Sequence, residues 1–198
     1  MFMICSMRAT RSVGVMDSGF YQRGRLYLGA VPDAEARRKI DGLSGVLRRA
    51  HRFAGKPTRP DRLHVSLLFL GSFPGSPSQE LVRIGHEVGA AVRMPKFDVV
   101  FDRTVSFRGR PGQRPFVLVG QDGCIPLQSL RQQMIEALCR TGLKGWARKA
   151  FTPHVTLWYG EREVDEHPIE PIGWTVREFV LIHSLRGHTH LARWPLGV

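Results

Sequence analysis

Two tetrapeptides carry residue types suited to acid–base chemistry: His64-Val65-Ser66-Leu67 and His154-Val155-Thr156-Leu157. Each reads His, apolar, hydroxyl, apolar. On an extended strand, alternate side chains share a face. His64 and Ser66 therefore project together, as do His154 and Thr156, while Val65, Leu67, Val155 and Leu157 turn the other way, into a core. Each segment presents an imidazole beside a hydroxyl. Two such surfaces facing one another would form a pocket with two acid–base groups and two hydrogen-bond donors, an arrangement suited to phosphoryl chemistry.

One histidine on a strand is usually structural, and a nearby Ser or Thr is unremarkable. The repetition changes the weighing, because two copies of one pattern in apolar strands point to a shared polar site. Histidine titrates near neutrality, so one imidazole can take a proton from a nucleophile while the other gives one to a leaving oxygen. Ser66 and Thr156 can hydrogen-bond non-bridging phosphate oxygens and stabilise transition-state charge. Neither motif includes a carboxylate, so neither a metal site nor a His/Asp/Ser triad is the natural reading, and the two-histidine logic needs no metal or cofactor.

The elements that must position these motifs follow from periodicity. The chain has 198 residues, enough for one domain or two tightly joined lobes. Residues 25–31 read as a strand, followed by Pro32 and the helix N-cap signal Asp33. Ala36, Ile40, Leu43 and Leu47 then recur at helical spacing to about Ala50, with Gly42 and Gly45 as weak points. Residues 63–70 form the first motif strand, and 72–78 a Gly/Pro/Ser loop. Leu81, Ile84, Val88 and Ala91 mark a second helix. Residues 97–101 and 104–107 read as two strand pieces, 108–114 as a basic turn and 116–120 as a strand. Leu127, Leu130, Met134 and Leu138 mark a third helix ending near Gly142. Residues 151–159 form the second motif strand, 161–171 an acidic loop, and 174–185 with 190–196 a closing antiparallel pair. The motif recurs after 90 residues. That implies two related lobes, each a small sheet with helices on one face. Residues 1–23 read as a flexible extension, with Met7 and Met16 as alternative starts, and 24–198 as a single bilobal domain.

The net charge is +12. A solvated basic surface and an anionic partner such as nucleic acid account for it about equally well. The cysteines, Cys5, Cys124 and Cys139, are odd in number and lack metal-ligand spacing, which fits a reducing cytoplasm. No apolar run approaches a membrane span.

Residues 61–71 (Asp-Arg-Leu-His-Val-Ser-Leu-Leu-Phe-Leu-Gly) and 151–157 (Phe-Thr-Pro-His-Val-Thr-Leu) resemble the paired motifs of the two-histidine (2H) phosphoesterase superfamily. The likeness is greatest to its RNA 2′,3′-cyclic phosphodiesterase branch, the 2′-5′ RNA ligase-like proteins. It extends over residues 25–196, including residues 25–33, 114–120 and the closing strands with their Trp-Pro-Leu ending. The resemblance implies an α+β, bilobal fold with the active site in the central cleft. It implies hydrolysis of RNA 2′,3′-cyclic phosphate ends to 2′-phosphates, and it also admits ATP-independent 2′-5′ RNA ligation. His64 and His154 would be the catalytic pair, and Ser66 and Thr156 the phosphate-binding hydroxyls. The expected order of roles is His154 as base and His64 as acid. Family members often carry Arg after the second motif, where Trp158 and Tyr159 stand here. Arg114, which heads a strand the resemblance places near the cleft, is then the first choice for a phosphate contact.

Lys56, Arg59 and Arg62, just before the first motif, are similar candidates, whereas Arg108 and Arg110 fit a solvated hairpin tip. Tyr27, Phe69, Phe107 and Trp158 are candidates for stacking on a base or lining the cleft, each weighed against core packing. His183, His188 and His190 tempt a metal reading, but no Cys or carboxylate completes it, so surface positions are expected. The expected partners are RNA ends, tRNA fragments among them, or nucleoside 2′,3′-cyclic phosphates, with a cytoplasmic monomer and no membrane. Two other readings stand beside this one: a non-catalytic RNA- or nucleotide-binding module, and a phosphodiesterase acting on a small cyclic nucleotide.

Overall fold

The computed structural model describes residues 23–53, 56–110, 112–142 and 151–197. The extension expected over residues 1–23 falls, except for Arg23, outside the described residues. The chain runs β1 (Arg23–Ala30), α1 (Ala34–Ala50), a 3₁₀ turn (Pro60–Arg62), β2 (Val65–Pro74), α2 (Gln79–Ala91), β3 (Phe97–Ser106), β4 (Arg114–Val119), a second 3₁₀ turn (Asp122–Cys124), α3 (Ile125–Arg140), β5 (His154–Gly160), β6 (His167–Val176), β7 (Glu178–Ser184) and β8 (His188–Pro195).

The eight strands form one antiparallel order, β6-β3-β4-β5-β2-β1-β7-β8. The expected α+β class holds. In place of two separate small sheets, two four-stranded groups are joined at β2 and β5. Their junction is a single residue pair, Val65 opposite Val155. These are the apolar second residues of the two motifs, so the motifs meet, running in opposite directions, at the middle of the sheet.

The sheet cannot be flat. β6 and β7 are separated only by Arg177, which limits their facing ends to roughly 8 Å. They stand six places apart in strand order, about 29 Å in a flat sheet. The sheet must fold back so that its first and seventh strands come together. This fold-back also explains a difference from the expected closing pair. Residues 174–185 are not one strand. Exposed Arg177 interrupts the apolar run. The part before it pairs with β3 in one group, and the part after it with β1 in the other. Likewise, the acidic loop gives way to β6 at His167, and the two strand pieces after residue 97 form a single β3 with an irregularity between Phe101 and Arg103.

The helices cover the sheet's outer side. Asp33 caps α1 by accepting the Ala36 N–H at 2.8 Å, and Ser78 caps α2 by accepting the Leu81 N–H at 3.3 Å. α1 buries Ala36, Ile40, Ser44 and Leu47, and runs through Gly42 and Gly45. α2 presents Ile84, Gly85, Val88 and Gly89 to the β2-β1-β7-β8 group; a Cβ at Gly89 would collide with the Trp194 ring. α3 buries Leu127, Leu130, Met134 and Leu138. These side chains join both motif valines in one core. A smaller apolar cluster, Tyr27, Val180 and Ile182 with Val31 and Phe69 against it, is separate from that core.

Candidate active site

A cleft of about 800 Å³ is lined by both motif histidines and both motif hydroxyls, His64, Ser66, His154 and Thr156. Extending the Val65–Val155 register by one residue each way sets His64 across from Thr156 and Ser66 across from His154.

Both rings are oriented in the same way. His64 Nδ1–H donates to the Arg62 carbonyl at 2.8 Å, and His154 Nδ1–H donates to the Thr152 carbonyl at 2.8 Å. In each case the acceptor lies two residues upstream. The 3₁₀ turn opened by Pro60 delivers the first carbonyl; Pro153, which biases Thr152 to extended backbone, delivers the second. Holding the proton on Nδ1 leaves Nε2 as the lone-pair nitrogen. His64 Nε2 accepts from the Ser66 hydroxyl at 3.0 Å. His154 Nε2 has no partner among the described residues.

The surroundings differ. Tyr27 stacks on His64 with centroids 5.0 Å apart, and His188 meets it edge-on at 4.8 Å. Among the described residues, the ring contact of His154 is with the edge of Phe107, at 4.9 Å. Burial pushes the His64 pKa down to about 4, aided by the charges of His154, Arg62 and His190 and opposed by the bond to the Arg62 carbonyl. Burial also lowers that of His154, opposed by the bond to the Thr152 carbonyl.

The cleft's charge is one-sided. Arg25, Lys56, Arg59 and Arg62 line it with the three histidines, and no carboxylate among the described residues does. Arg59 is tied to Asp61 by two hydrogen bonds, at 2.9 and 3.0 Å. Arg62 is half-buried, and its charge reaches Tyr27, His64 and His188.

Arg114, the expected phosphate contact, does not line the cleft. Its guanidinium donates to the Gly109 carbonyl at 3.1 Å and the Glu161 carbonyl at 2.8 Å, fastening two loops to the start of β4. Arg108 and Arg110 are exposed and lie outside the cleft wall. Tyr27 and Phe69, paired across β1 and β2, both line it. Trp158 does so too, but it is only 3% exposed and stacks on Phe116 at 4.5 Å. Phe107 touches His154 without lining the cleft. Tyr159, noted from the sequence for standing where Arg is often found and not as a site candidate, lines it and is 54% exposed.

The three C-terminal histidines do not cluster. His183 turns to the other face, near the Gly75 carbonyl, and His190 contacts Arg193. His188, expected at the surface, lies in the cleft. Pairing of Ser184 with His188 puts both on the cleft face. Strand alternation offered half of that signal; the other half, β1 lying beside β7, is a pairing no local pattern contains.

Comparison with known proteins extends these observations. Residues 31–188 match the family model of the 2′-5′ RNA ligase superfamily. The chain belongs to that superfamily. It is thus a two-histidine phosphoesterase by family, as the paired motifs imply. Its fold is similar to that of E. coli LigT in apo form, with 27% identity, a TM-score of 0.64, and coverage of 89% of this chain and 99% of LigT. The 3′-AMP complex of E. coli LigT superposes with a TM-score of 0.67 at 26% identity over 89% and 99% of the two chains. TT0787 of Thermus thermophilus shares the fold, with a TM-score of 0.66 at 20% identity over 87% and 97%. Among curated proteins, no sequence matches significantly. No helix among the described residues is long and apolar enough to cross a membrane, and no group of three or more His, Cys, Asp or Glu among them is placed to hold a metal ion.

Proposed function

We propose that this protein hydrolyses 2′,3′-cyclic phosphate ends of RNA to 2′-phosphates, without a metal ion. The observation that carries this reading is a pair of imidazoles with matched Nδ1 anchors, facing a cationic cleft with no carboxylate among its described lining residues. Such a cleft favours an anion, and two Nε2 atoms on facing strands can serve the two sides of a phosphorus centre. E. coli LigT structures hold 3′-AMP, NADP+ or ATP, which supports a nucleotide-bearing ligand here.

In the reaction, water attacks phosphorus while a histidine Nε2 takes its proton. The bond from phosphorus to the 3′ oxygen breaks, and the second histidine protonates that oxygen. With substrate bound, the Ser66 hydroxyl turns from His64 Nε2 to the phosphate, which frees that lone pair for the water proton, and Ser66 and Thr156 donate to the non-bridging oxygens. Arg62 takes the place first given to Arg114, because it faces the histidines and Arg114 does not. The assignment of roles is the reverse of the order expected from sequence. His64 lies deeper and among more positive charges, so it stays neutral and acts as base. His154 is easier to protonate and acts as acid.

The test is a short RNA ending in a 2′,3′-cyclic phosphate, assayed with and without chelator. The expected result is chelator-insensitive release of a 2′-phosphate. No turnover would indicate the binding-module reading. Faster hydrolysis of a small cyclic nucleotide than of the RNA end would move the substrate class.

A further inference from the structure

The cleft contains a third histidine that the two-motif chemistry does not use. His188, the first residue of β8, meets His64 edge-on at 4.8 Å, and its Nε2 lies 3.2 Å from the Tyr27 hydroxyl. Tyr27 in turn stacks on His64. We propose that Tyr27 and His188 are a positioning pair for His64, linked by their own hydrogen bond and holding the imidazole between a stacked phenol and an abutting ring.

Three observations carry this. Tyr27 is only 5% exposed in the small cluster with Val180 and Ile182, where a phenol O–H requires a partner. Burial drives the phenol's pKa upward, so it keeps its proton; burial first, then the charges of His64, Arg62 and His190, opposed by Asp61, holds His188 at about 3. Both partners are neutral, and with the His188 proton on Nδ1 the Tyr27 O–H donates to Nε2, while the Ser184 side chain is the phenol's other hydrogen-bond neighbour. Finally, the hydrogen bonds of His64 run through its two ring nitrogens, and rotation of the ring would break both. Tyr27 and His188 oppose that rotation by contact with the ring itself. His154 has no such pair among the described residues, only Phe107.

The charged and titratable groups around His188 are Arg62 and Asp61 on the 3₁₀ turn, His64 beside β2 and His190 on β8; Arg25 on β1 acts on Tyr27. The pair is built from residues 161 positions apart, brought together because β1 lies beside β7.

The inference rests on the phosphodiesterase reading for one arm of its test only. In that arm, Tyr27→Phe removes the donor and His188→Phe removes the acceptor, with a ring kept in both. Each is expected to lower kcat on a nucleoside 2′,3′-cyclic phosphate about tenfold, the scale of one buried hydrogen bond, with KM within about twofold. The double variant should be no worse than either single one. His188→Gln, whose amide can accept from the phenol, should recover most of kcat.

The other arm needs no turnover. The His64 imidazole is titrated by nitrogen-edited NMR in the wild type and in His188→Ala. Opening the ring to water should raise its midpoint by about one pH unit. Additive losses in the double variant, a loss confined to KM, or an unchanged His64 titration would each overturn the proposal. Absence of wild-type turnover would sink the cyclic-phosphate reading and leave the titration to decide this one.

Discussion

The two halves of the cleft are built on one backbone plan and furnished differently. In both, a histidine stands at the start of the strand where its group meets the other, and anchors Nδ1–H on the carbonyl two residues upstream, which leaves Nε2 as the lone-pair nitrogen. Val65 faces Val155 at the junction. Yet His64 is enclosed by Tyr27, His188, Ser66 and Arg62, whereas His154 meets Phe107 and keeps Nε2 without a protein partner among the described residues. Backbone symmetry supplies two imidazoles with matching anchors, and the side chains around them leave one more enclosed than the other, the difference on which the proposed base and acid roles rest. Acid and base have opposite needs at one pH, so a cleft with identical halves would serve neither role well.

The strongest way to break this comparison is to remove each ring. His64→Ala and His154→Ala should each lower turnover of a 2′,3′-cyclic phosphate by roughly 10²–10⁴-fold; near-normal activity in either would end the paired-histidine account. A sharper version uses a phosphodiester whose leaving group is p-nitrophenolate, which needs no proton. His154→Ala should regain much of its lost rate there while His64→Ala should not, and the opposite pattern would exchange the roles. Next in size is the charge asymmetry. Arg62→Gln should raise KM about tenfold, since a hydrogen bond to a charged group is worth roughly 1.5–3 kcal/mol, while Arg114→Gln should leave KM within about twofold. Equal effects would return the phosphate contact to the β4 side.

The smallest effect is on stability. The folded-state pKa values of His64, about 4, and His188, about 3, lie below the ordinary 6.5. Between those values and 6.5, the unfolded chain binds protons that the native one refuses. The stability these groups contribute is therefore present above about pH 6.5 and is lost as pH falls toward 4. The Tm should decline over that window, and His188→Phe should flatten the decline. A flat Tm in the wild type would show that the cleft does not hold these rings neutral.

Much of this was legible in the sequence because it is local. Asp33 and Ser78 announce helix starts, the spacing of Ile40 and Leu47 gives a buried face, and the His-apolar-hydroxyl pattern gives both motifs. What was not legible depends on which strands become neighbours. Arg114 looked placed for phosphate because it heads β4, but two carbonyls from loops on either side hold it. Residues 174–185 looked like one strand because both sides of Arg177 are apolar, yet their partners lie in different halves of the strand order. His188 looked superficial because its neighbours in the cleft, Tyr27 and His64, are far away along the chain. Periodicity shows which face a side chain takes, and it is silent on what that face meets.

That strand order also governs how the protein is made. β1 leaves the ribosome long before its second neighbour, β7. Until Glu178–Ser184 emerges, β1 and β2 form a sheet with an open edge, the kind of surface on which chains pair wrongly. The strand after it then brings His188 to His64. A chain that stalls before that point would contain both motif histidines and still lack the edge that closes around one of them. Synthesis of β7 and β8 is therefore the step that completes the wall of the cleft around His64.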